Sequence, residues 1–267
     1  MSATVNWIPE GMDREVPSAA RAYDYIAGGT HHFEADRKLG DQVLSVLPAR
    51  DMSRHNRQYL QRVVRFMAGR GIRQFIDLGS GLPVRGNVHE TAQQAAPECR
   101  VVYVDNERAT IEHSELMLRG DERTAMVGED LRDPDAVLNA EATRRLIDFS
   151  RPVGFLMLGV TQFLHDEDDP WAITAAYRRA LPSGSYLALS CFTWDNDRET
   201  MRNTVEMFRR SGRTPIVPRT GEEVRRLLGD FELLDPGLVF TPQWCPDGAS
   251  GAAEERSNLY AAVARKP

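Results

Sequence analysis

Three acidic residues, Asp77, Asp105 and Asp130, lie at or just after the ends of successive short apolar runs. If these runs are parallel strands, their carboxyl ends meet at one edge of a sheet, which is where such sheets bind ligands. A carboxylate after the second strand, Asp105, can accept hydrogen bonds from both hydroxyls of a ribose. Asp130 can accept from an adenine amino group while the next backbone N–H, that of Leu131, donates to a ring nitrogen. Asn106, beside Asp105, completes the polar set predicted to bind the cofactor.

A glycine turn, Gly79-Ser80-Gly81, follows the first of these runs. Its glycines allow the tight backbone path of a strand-to-helix turn. A dinucleotide fingerprint needs a third glycine, and residues 82–84 are Leu-Pro-Val instead. S-adenosylmethionine carries a sulfonium and an ammonium but no phosphate, so it suits an acidic rim better. Two alternatives stay open, because a nicotinamide dinucleotide would share the ribose contact and each acid could simply cap a turn or helix.

Apolar runs and amphipathic stretches alternate from Arg73 onward, which predicts a sheet flanked by helices. Strands are predicted at 73–78, 100–105, 124–128, 153–160, 185–192, 231–235 and 258–264. Helices are predicted at 87–96, 107–119, 134–148, 171–181, 197–212 and 220–229. Asp133 and Asp169 each precede a proline and are predicted N-caps. The predicted fold class is therefore α/β, with a doubly wound sheet of seven strands.

The N-terminal part differs, because its pattern predicts three helices, at 17–29, 33–47 and 53–71. Ser53 is predicted to cap the third. We divide the chain into a helical cap or lid, residues 1–71, and a core, residues 72–267, within one integrated domain. The cap either only covers a sheet edge or forms part of a pocket, and the second is favoured by the aromatic and titratable residues around its glycine break. These residues are Tyr23, Tyr25, Gly28, Gly29, His31, His32 and Phe33.

Composition excludes several other classes of protein. The formal charge of −6 and pI of about 5.6 give no general attraction to nucleic acid or to an anionic membrane. We find neither an apolar run of membrane-spanning length nor a secretory leader, and the three cysteines show no metal-binding spacing. We therefore expect a cytoplasmic protein with no metal and a small-molecule substrate, and a homodimer stays an open alternative to a monomer.

The chain resembles the actinobacterial S-adenosylmethionine-dependent methyltransferase family that was formerly filed as a domain of unknown function. The resemblance rests on PSAARAYDYIAGGTHHFEADR, RQFIDLGSGLPVRGNVHE, RVVYVDNE, EDLRDP and LYAAVARKP, and covers nearly the whole chain. It implies a class I, Rossmann-like fold whose mostly parallel sheet has its last strand, NLYAAVA, antiparallel beside FELLD. It also implies that the cap closes over the cofactor, with Tyr23, Gly28 and Gly29 nearby. The chain departs from the family pattern at Thr30 to His32. It departs again at Gln162, a position where the family usually has histidine.

The predicted function is a metal-independent methyltransferase that acts on a small molecule, such as a secondary metabolite, and releases S-adenosylhomocysteine. Methyl transfer mainly requires alignment and exclusion of water, and a base helps only if the acceptor must lose a proton. The base candidates are His165 and the pair His31 and His32, with His89 as a further one. Gln162 is predicted to orient the substrate as a neutral group. The alternatives are a relative that uses the cofactor for another reaction or senses it, and a nicotinamide-dependent oxidoreductase.

Overall fold

The sheet and its flanking helices account for most of the chain in the structure, a computed structural model that describes residues 13–82, 86–210, 215–245 and 257–267. The helices are α1 Ala19–Ile26, α2 Glu34–Val46, α3 Ala49–Gly69, α4 Val88–Ala95, α5 Arg108–Met117, α6 Pro134–Asn139, α7 Glu141–Leu146, α8 Pro170–Ala180, α9 Arg198–Arg210 and α10 Gly221–Leu228. The strands are β1 Gln74–Leu78, β2 Arg100–Val104, β3 Thr124–Val127, β4 Gly154–Leu158, β5 Tyr186–Phe192, β6 Glu232–Leu233, β7 Val239–Phe240 and β8 Leu259–Arg265.

The strands form one sheet in the order β3-β2-β1-β4-β5-β8-β6, and β7 also pairs with β8. Strands β1 to β5 are mutually parallel, whereas β8 is antiparallel to β5, β6 and β7. The order reverses between β1 and β4, which creates the crevice expected of a doubly wound sheet. The predicted α/β class, the seven predicted strands and the antiparallel last strand beside β6 are confirmed. The additional strand, β7, has only two residues, too few for a periodic pattern in the sequence.

Both faces of the sheet are buried, because successive side chains of a strand point to opposite sides. Ile76 and Leu78 of β1 belong to one core cluster, which contains α8 and α10 residues, and Phe75 belongs to the other, with residues of α3 and α4. A third cluster lies beneath the cap, where α1, α2 and the start of α3 pack against α9. The cap is thus attached by an apolar interface as well as by the chain itself.

Three local predictions can be checked directly. Asp133 and Asp169 cap α6 and α8, since their side chains accept from the N–H groups of Ala136 and Ala172. The Ser53 prediction is wrong: α3 begins four residues earlier, and the Ser53 hydroxyl donates to a carbonyl within the helix. The helix predicted over 134–148 is two helices, because Ala140 leaves the helical conformation with ψ 140°.

Candidate functional site

A cavity of about 940 Å³ opens at the carboxyl ends of β1 to β4 and extends beneath the cap. Most residues that the sequence assigns to the cofactor line it. They are Tyr23, Asp77, Gly79, Gly81, Asp105, Asn106, Asp130 and Leu131, and Gln162 also lines it. The strand register brings the first two acids together, because β1 and β2 run parallel and end at the same level. A pocket of this size is at the upper end of the usual range for a ligand site, about 300–1,000 Å³.

The glycine turn forms the floor of the cavity between β1 and α4. Gly79 and Gly81 have φ of +63° and +64°, the left-handed region that favours glycine. The Gly79 N–H donates to the Val104 carbonyl, which fixes the turn against β2. A Cβ on Gly79 would lie 2.3 Å from Val160 Cγ2, whereas a Cβ on Gly81 would meet nothing within 4 Å. Gly79 is therefore required by packing as well as by its backbone conformation, and Gly81 by its conformation alone.

Asp105 joins the turn to the loop after β2. Its Oδ2 accepts from the Gly81 N–H at 2.9 Å and its Oδ1 from the Glu107 N–H at 3.0 Å. Burial raises the pKa of Asp105, and these backbone donors oppose the rise. A carboxylate has about four lone-pair sites, so Asp105 can still accept from two hydroxyls while it holds both backbone segments.

Asp77 is 6% exposed and has an unusual electrostatic environment. Burial raises its pKa to about 7, a rise that the Arg57 guanidinium opposes and the Asp105 carboxylate supports. A carboxyl group whose pKa is raised in this way becomes fully ionised when a cation binds beside it, because the positive charge stabilises the carboxylate. The position thus favours a cationic ligand.

Asp130 is already engaged within the protein. Its Oδ2 lies 2.6 Å from Arg132 Nη2 and accepts from Asn106 Nδ2 at 3.0 Å. The hydrogen bond from Arg132 lowers the pKa of Asp130 to about 2. Its adenine contact stays a prediction, and it would have to form alongside this ion pair.

The glycine break of the cap has a structural explanation at Gly28 and Gly29, neither of which lines the cavity. Gly28 has φ +85°, and a Cβ on Gly29 would lie 2.0 Å from Asp24 Oδ1. The Asp24 carboxylate also accepts from the His31 N–H at 2.7 Å. Both glycines therefore lie in a turn that closes around Asp24. They do not line the cavity, so the cofactor contacts predicted for them are not seen in its wall.

Of the predicted catalytic residues, the structure brings only Gln162 to the cavity, and the described lining residues include no histidine. His165 Nε2 lies 2.9 Å from the Pro215 carbonyl oxygen, which accepts from it. His32 Nε2 lies 3.2 Å from the Gly29 carbonyl oxygen. His89 Nδ1 lies 2.7 Å from the Tyr103 hydroxyl. A base role for these histidines is not supported by where they lie.

Sequence reasoning missed the ion pairs that attach the cap to the loop between β2 and α5. Arg21 of α1 is 3% exposed and contacts Asp36 Oδ2 at 2.8 Å and Glu107 Oε1 at 3.1 Å. The Ser18 hydroxyl donates to the other Glu107 oxygen at 2.6 Å. Glu107 follows Asp105 by two residues, so the cap is tied to the predicted ribose site. Ser18 and Arg21 are 89 and 86 residues from Glu107 along the chain, and no local pattern signals such a contact.

The described residues contain no group of three or more His, Cys, Asp or Glu side chains that could hold a metal ion. Within the same ranges, no helix combines the length and apolar composition that a membrane span needs.

The fold and the site define a class I, Rossmann-like methyltransferase. The chain belongs to the S-adenosyl methyltransferase family, whose model matches residues 5–267. Its cofactor is therefore S-adenosylmethionine, as the acidic, phosphate-free rim predicts, and the nicotinamide alternative is set aside. A comparison with curated proteins finds no match.

Two solved structures are similar over almost their whole length. A Thermobifida fusca protein inferred to be a methyltransferase is 38% identical with a TM-score of 0.92, over 98% of this chain and 99% of that one. A DUF574 family protein from Streptomyces avermitilis is 38% identical with a TM-score of 0.89, over 96% and 99%. Human N-acetylserotonin methyltransferase in complex with its cofactor is 15% identical with a TM-score of 0.50, over 94% and 60%. This last likeness shows the fold alone.

Proposed function

We propose that this protein transfers the methyl group of S-adenosylmethionine to a small-molecule acceptor, of the kind found among secondary metabolites. The observation that carries the proposal is one cavity with two chemically different parts. The acidic part lies at the carboxyl ends of the strands. The other, which we call the apolar chamber, lies beneath the cap and is lined by Ile26, Leu39, Val43, Phe163, Phe192 and Phe208.

The acidic part fits the cofactor in its donor and acceptor chemistry. Asp105 retains acceptor sites for the ribose hydroxyls, and Asp77 offers a carboxylate to the positively charged methionine end. The absence of a side chain at Gly79 leaves the turn close against Val160. When bound, the cofactor supplies a methyl group on a positively charged sulfur, open to in-line displacement.

The residues around the apolar chamber would align the acceptor and exclude water, which accounts for much of the rate in such displacements. Gln162 Nε2 donates to the Gly159 carbonyl oxygen at 2.6 Å. Its Oε1 is buried, and no described residue donates to it. We assign Gln162 an orienting role, in which an O–H or N–H of the acceptor supplies the missing donor. Since no described histidine lines the cavity, we favour acceptors that need no proton removed before transfer, and the base roles of His165 and His32 stay predictions.

Cofactor affinity is expected to rise with pH up to about 7, because Asp77 must ionise to face a cation. Below its pKa of about 7, affinity should fall by up to about tenfold per pH unit, the limit for one coupled proton. In the cofactor-free protein the same raised pKa has the opposite sign for stability. The folded state holds a proton that the unfolded state has lost, so this contribution declines as pH rises from about 4 to about 7.

Calorimetric titration with S-adenosylhomocysteine from pH 5.5 to 7.5 checks this dependence. Asp77→Asn is the matched control, because it cannot titrate and should flatten the profile. A wild-type profile as flat as that of the variant would remove Asp77 from the proton linkage.

Replacing Asp105 with alanine is expected to weaken cofactor binding by about 1–3 kcal/mol, the usual scale for losing hydrogen bonds to a charged group. The exposed Glu122→Ala variant is the control and should bind as the wild type does. Because Asp105 also holds Gly81 and Glu107, circular dichroism must show that the variant is folded. Unchanged affinity in a folded variant would exclude Asp105 from the site.

Transfer itself can be tested with methyl-labelled S-adenosylmethionine and an actinobacterial extract separated by ultrafiltration into small molecules and macromolecules. We expect label to appear in the small-molecule fraction, and Gln162→Ala to reduce it while cofactor binding is retained. Label confined to macromolecules would overturn the small-molecule proposal. Cofactor binding without any transfer would favour the sensing alternative. The cytoplasmic location, the lack of a nucleic-acid partner and a homodimer stay predictions from the sequence.

A further inference from the structure

The walls of the apolar chamber offer packing surface and little else. Helices α1 and α2 contribute Ile26, Leu39 and Val43, each 4–7% exposed. Phe163, Phe192 and Phe208 close the opposite side and pack in the same cluster beneath the cap. Aromatic and aliphatic walls of this kind stabilise a ligand in proportion to the apolar surface it buries.

Each basic residue on the cavity wall already has a partner. Among the described lining residues these are Arg21, Arg57 and Arg132. Arg21 is held by Asp36 and Glu107, and Arg132 by Asp130 at 2.6 Å. Arg57 Nη2 donates to Asn87 Oδ1 at 3.0 Å. All three are committed near the strand ends, so an anionic acceptor in the chamber would lose its hydration without gaining a counter-ion.

One acidic residue of α1, Asp24, also lines the cavity and is 1% exposed. Its Oδ2 accepts from the His31 N–H, whereas its buried Oδ1, which lies against Gly29, has no hydrogen-bond partner among the described residues. A carboxylate at this position offers an anionic acceptor no counter-ion.

The chamber and the acidic part meet at Gln162. Two residues before it, Val160 packs against Gly79 of the glycine turn, and directly after it Phe163 packs in the cap cluster. An acceptor in the chamber thus lies next to the cofactor part, with the Gln162 amide between the two.

We infer that the acceptor is a largely apolar molecule without a negative charge, which the chamber binds by packing, and that the chamber excludes anions. The inference rests on the proposed function, because it takes the acidic part as the cofactor site and leaves the chamber to the acceptor. It goes further in naming what the acceptor must be.

Two probes of nearly identical shape test the inference. The first is 1-anilinonaphthalene, which is uncharged, and the second is 8-anilinonaphthalene-1-sulfonate, which adds a sulfonate to the same rings. Fluorescence titrations use the full chain saturated with S-adenosylhomocysteine, so that the cofactor part is filled. We expect the uncharged probe to bind with a dissociation constant at least about tenfold lower, because the sulfonate would be buried without a partner.

A charge placed in the chamber should change that preference. Phe208 is half-buried on α9, and Phe208→Arg is expected to tighten sulfonate binding by about tenfold while it weakens binding of the uncharged probe. Asn203→Arg adds the same charge to an exposed position of the same helix and should leave both affinities unchanged. Equal affinities for the two probes in the wild type would overturn the inference.

Calorimetry with S-adenosylhomocysteine alone separates this inference from the proposed function. If that ligand binds and the sulfonate probe is preferred, the acceptor class is wrong and the proposed function stands. If it does not bind, the proposed function fails, and the probe titrations repeated without it still show whether the chamber prefers an uncharged molecule.

Discussion

Replacing Arg21 with methionine is expected to lower the free energy of unfolding by about 3–5 kcal/mol, the usual cost of removing one partner from a buried ion pair. Arg21 is 3% exposed and Asp36 is fully buried, so the substitution leaves a carboxylate without its cation and without water. The backbone N–H groups of Ser18 and Phe33, which also donate to Asp36, offset only part of that loss. Urea denaturation measures the effect.

Two further variants make the Arg21 result interpretable. Lys38→Met removes a cation from a fully exposed pair with Glu34 on the same cap and should change stability little. Arg21→Met combined with Asp36→Leu removes both buried charges and should recover part of the loss, since the buried carboxylate is no longer present. A double variant that is no more stable than Arg21→Met alone would contradict the pairing.

The Arg21 contacts also bear on function. Through Glu107 they hold the cap against the loop that carries Asp105. The same contacts therefore position both the cap over the apolar chamber and the proposed ribose site. We therefore expect folded Arg21→Met protein to bind S-adenosylhomocysteine more weakly than the wild type. Calorimetry at a temperature where the variant is folded checks this expectation.

Substituting alanine for the two turn glycines separates backbone strain from packing. Gly81→Ala is expected to cost about 1–2 kcal/mol, because an L-residue is disfavoured in the left-handed region. Gly79→Ala should cost about 1–3 kcal/mol more, because its Cβ would overlap Val160 as well. The two positions have nearly the same φ, so each serves as the other's control.

The Gly79 difference can be traced to a single neighbour. Val160→Ala, introduced together with Gly79→Ala, removes the Cγ2 atom that the new Cβ would meet at 2.3 Å. The Cβ of residue 160 would still lie 2.9 Å from the new Cβ, so chemical denaturation of the double variant should show recovery of part of the additional loss that Gly79→Ala causes. If Gly79→Ala and Gly81→Ala destabilise the protein equally, packing against Val160 does not constrain the turn.

The positions of the acidic residues proposed to bind the cofactor were predictable because they follow from local sequence. A parallel strand ends where its apolar run ends, so Asp77 and Asp105 had to lie at the same edge of the sheet. Asp133 and Asp169 could likewise be assigned as caps, since a cap acts on a backbone N–H within three residues. In contrast, the split at Ala140 depends on one backbone torsion, and the start of α3 at Ala49 precedes any capping side chain.

Side-chain contacts, whether within one turn or between distant segments, could not be predicted in the same way. The sequence places His32 and Gly29 next to a family signature, but the structure shows that they serve the turn around Asp24. It likewise places His165 after β4, whereas the ring of His165 is hydrogen-bonded to the Pro215 carbonyl oxygen in the segment before α10. Whether a side chain enters a cavity depends on rotations that only its packed neighbours determine.

The sequence alone determined the α/β class and the acidic strand ends, because each follows from residue type and spacing along one strand or turn. Its resemblance over nearly the whole chain indicated the family and, with it, the cofactor. The tertiary structure alone decided that the cap is held by Arg21 and Glu107, that the predicted histidines lie outside the cavity, and that its inner part is apolar. These features depend on side chains brought together from α1, α2, β5 and α9. Residues on these elements are far apart along the chain, and which of them come into contact is decided only when the helices pack.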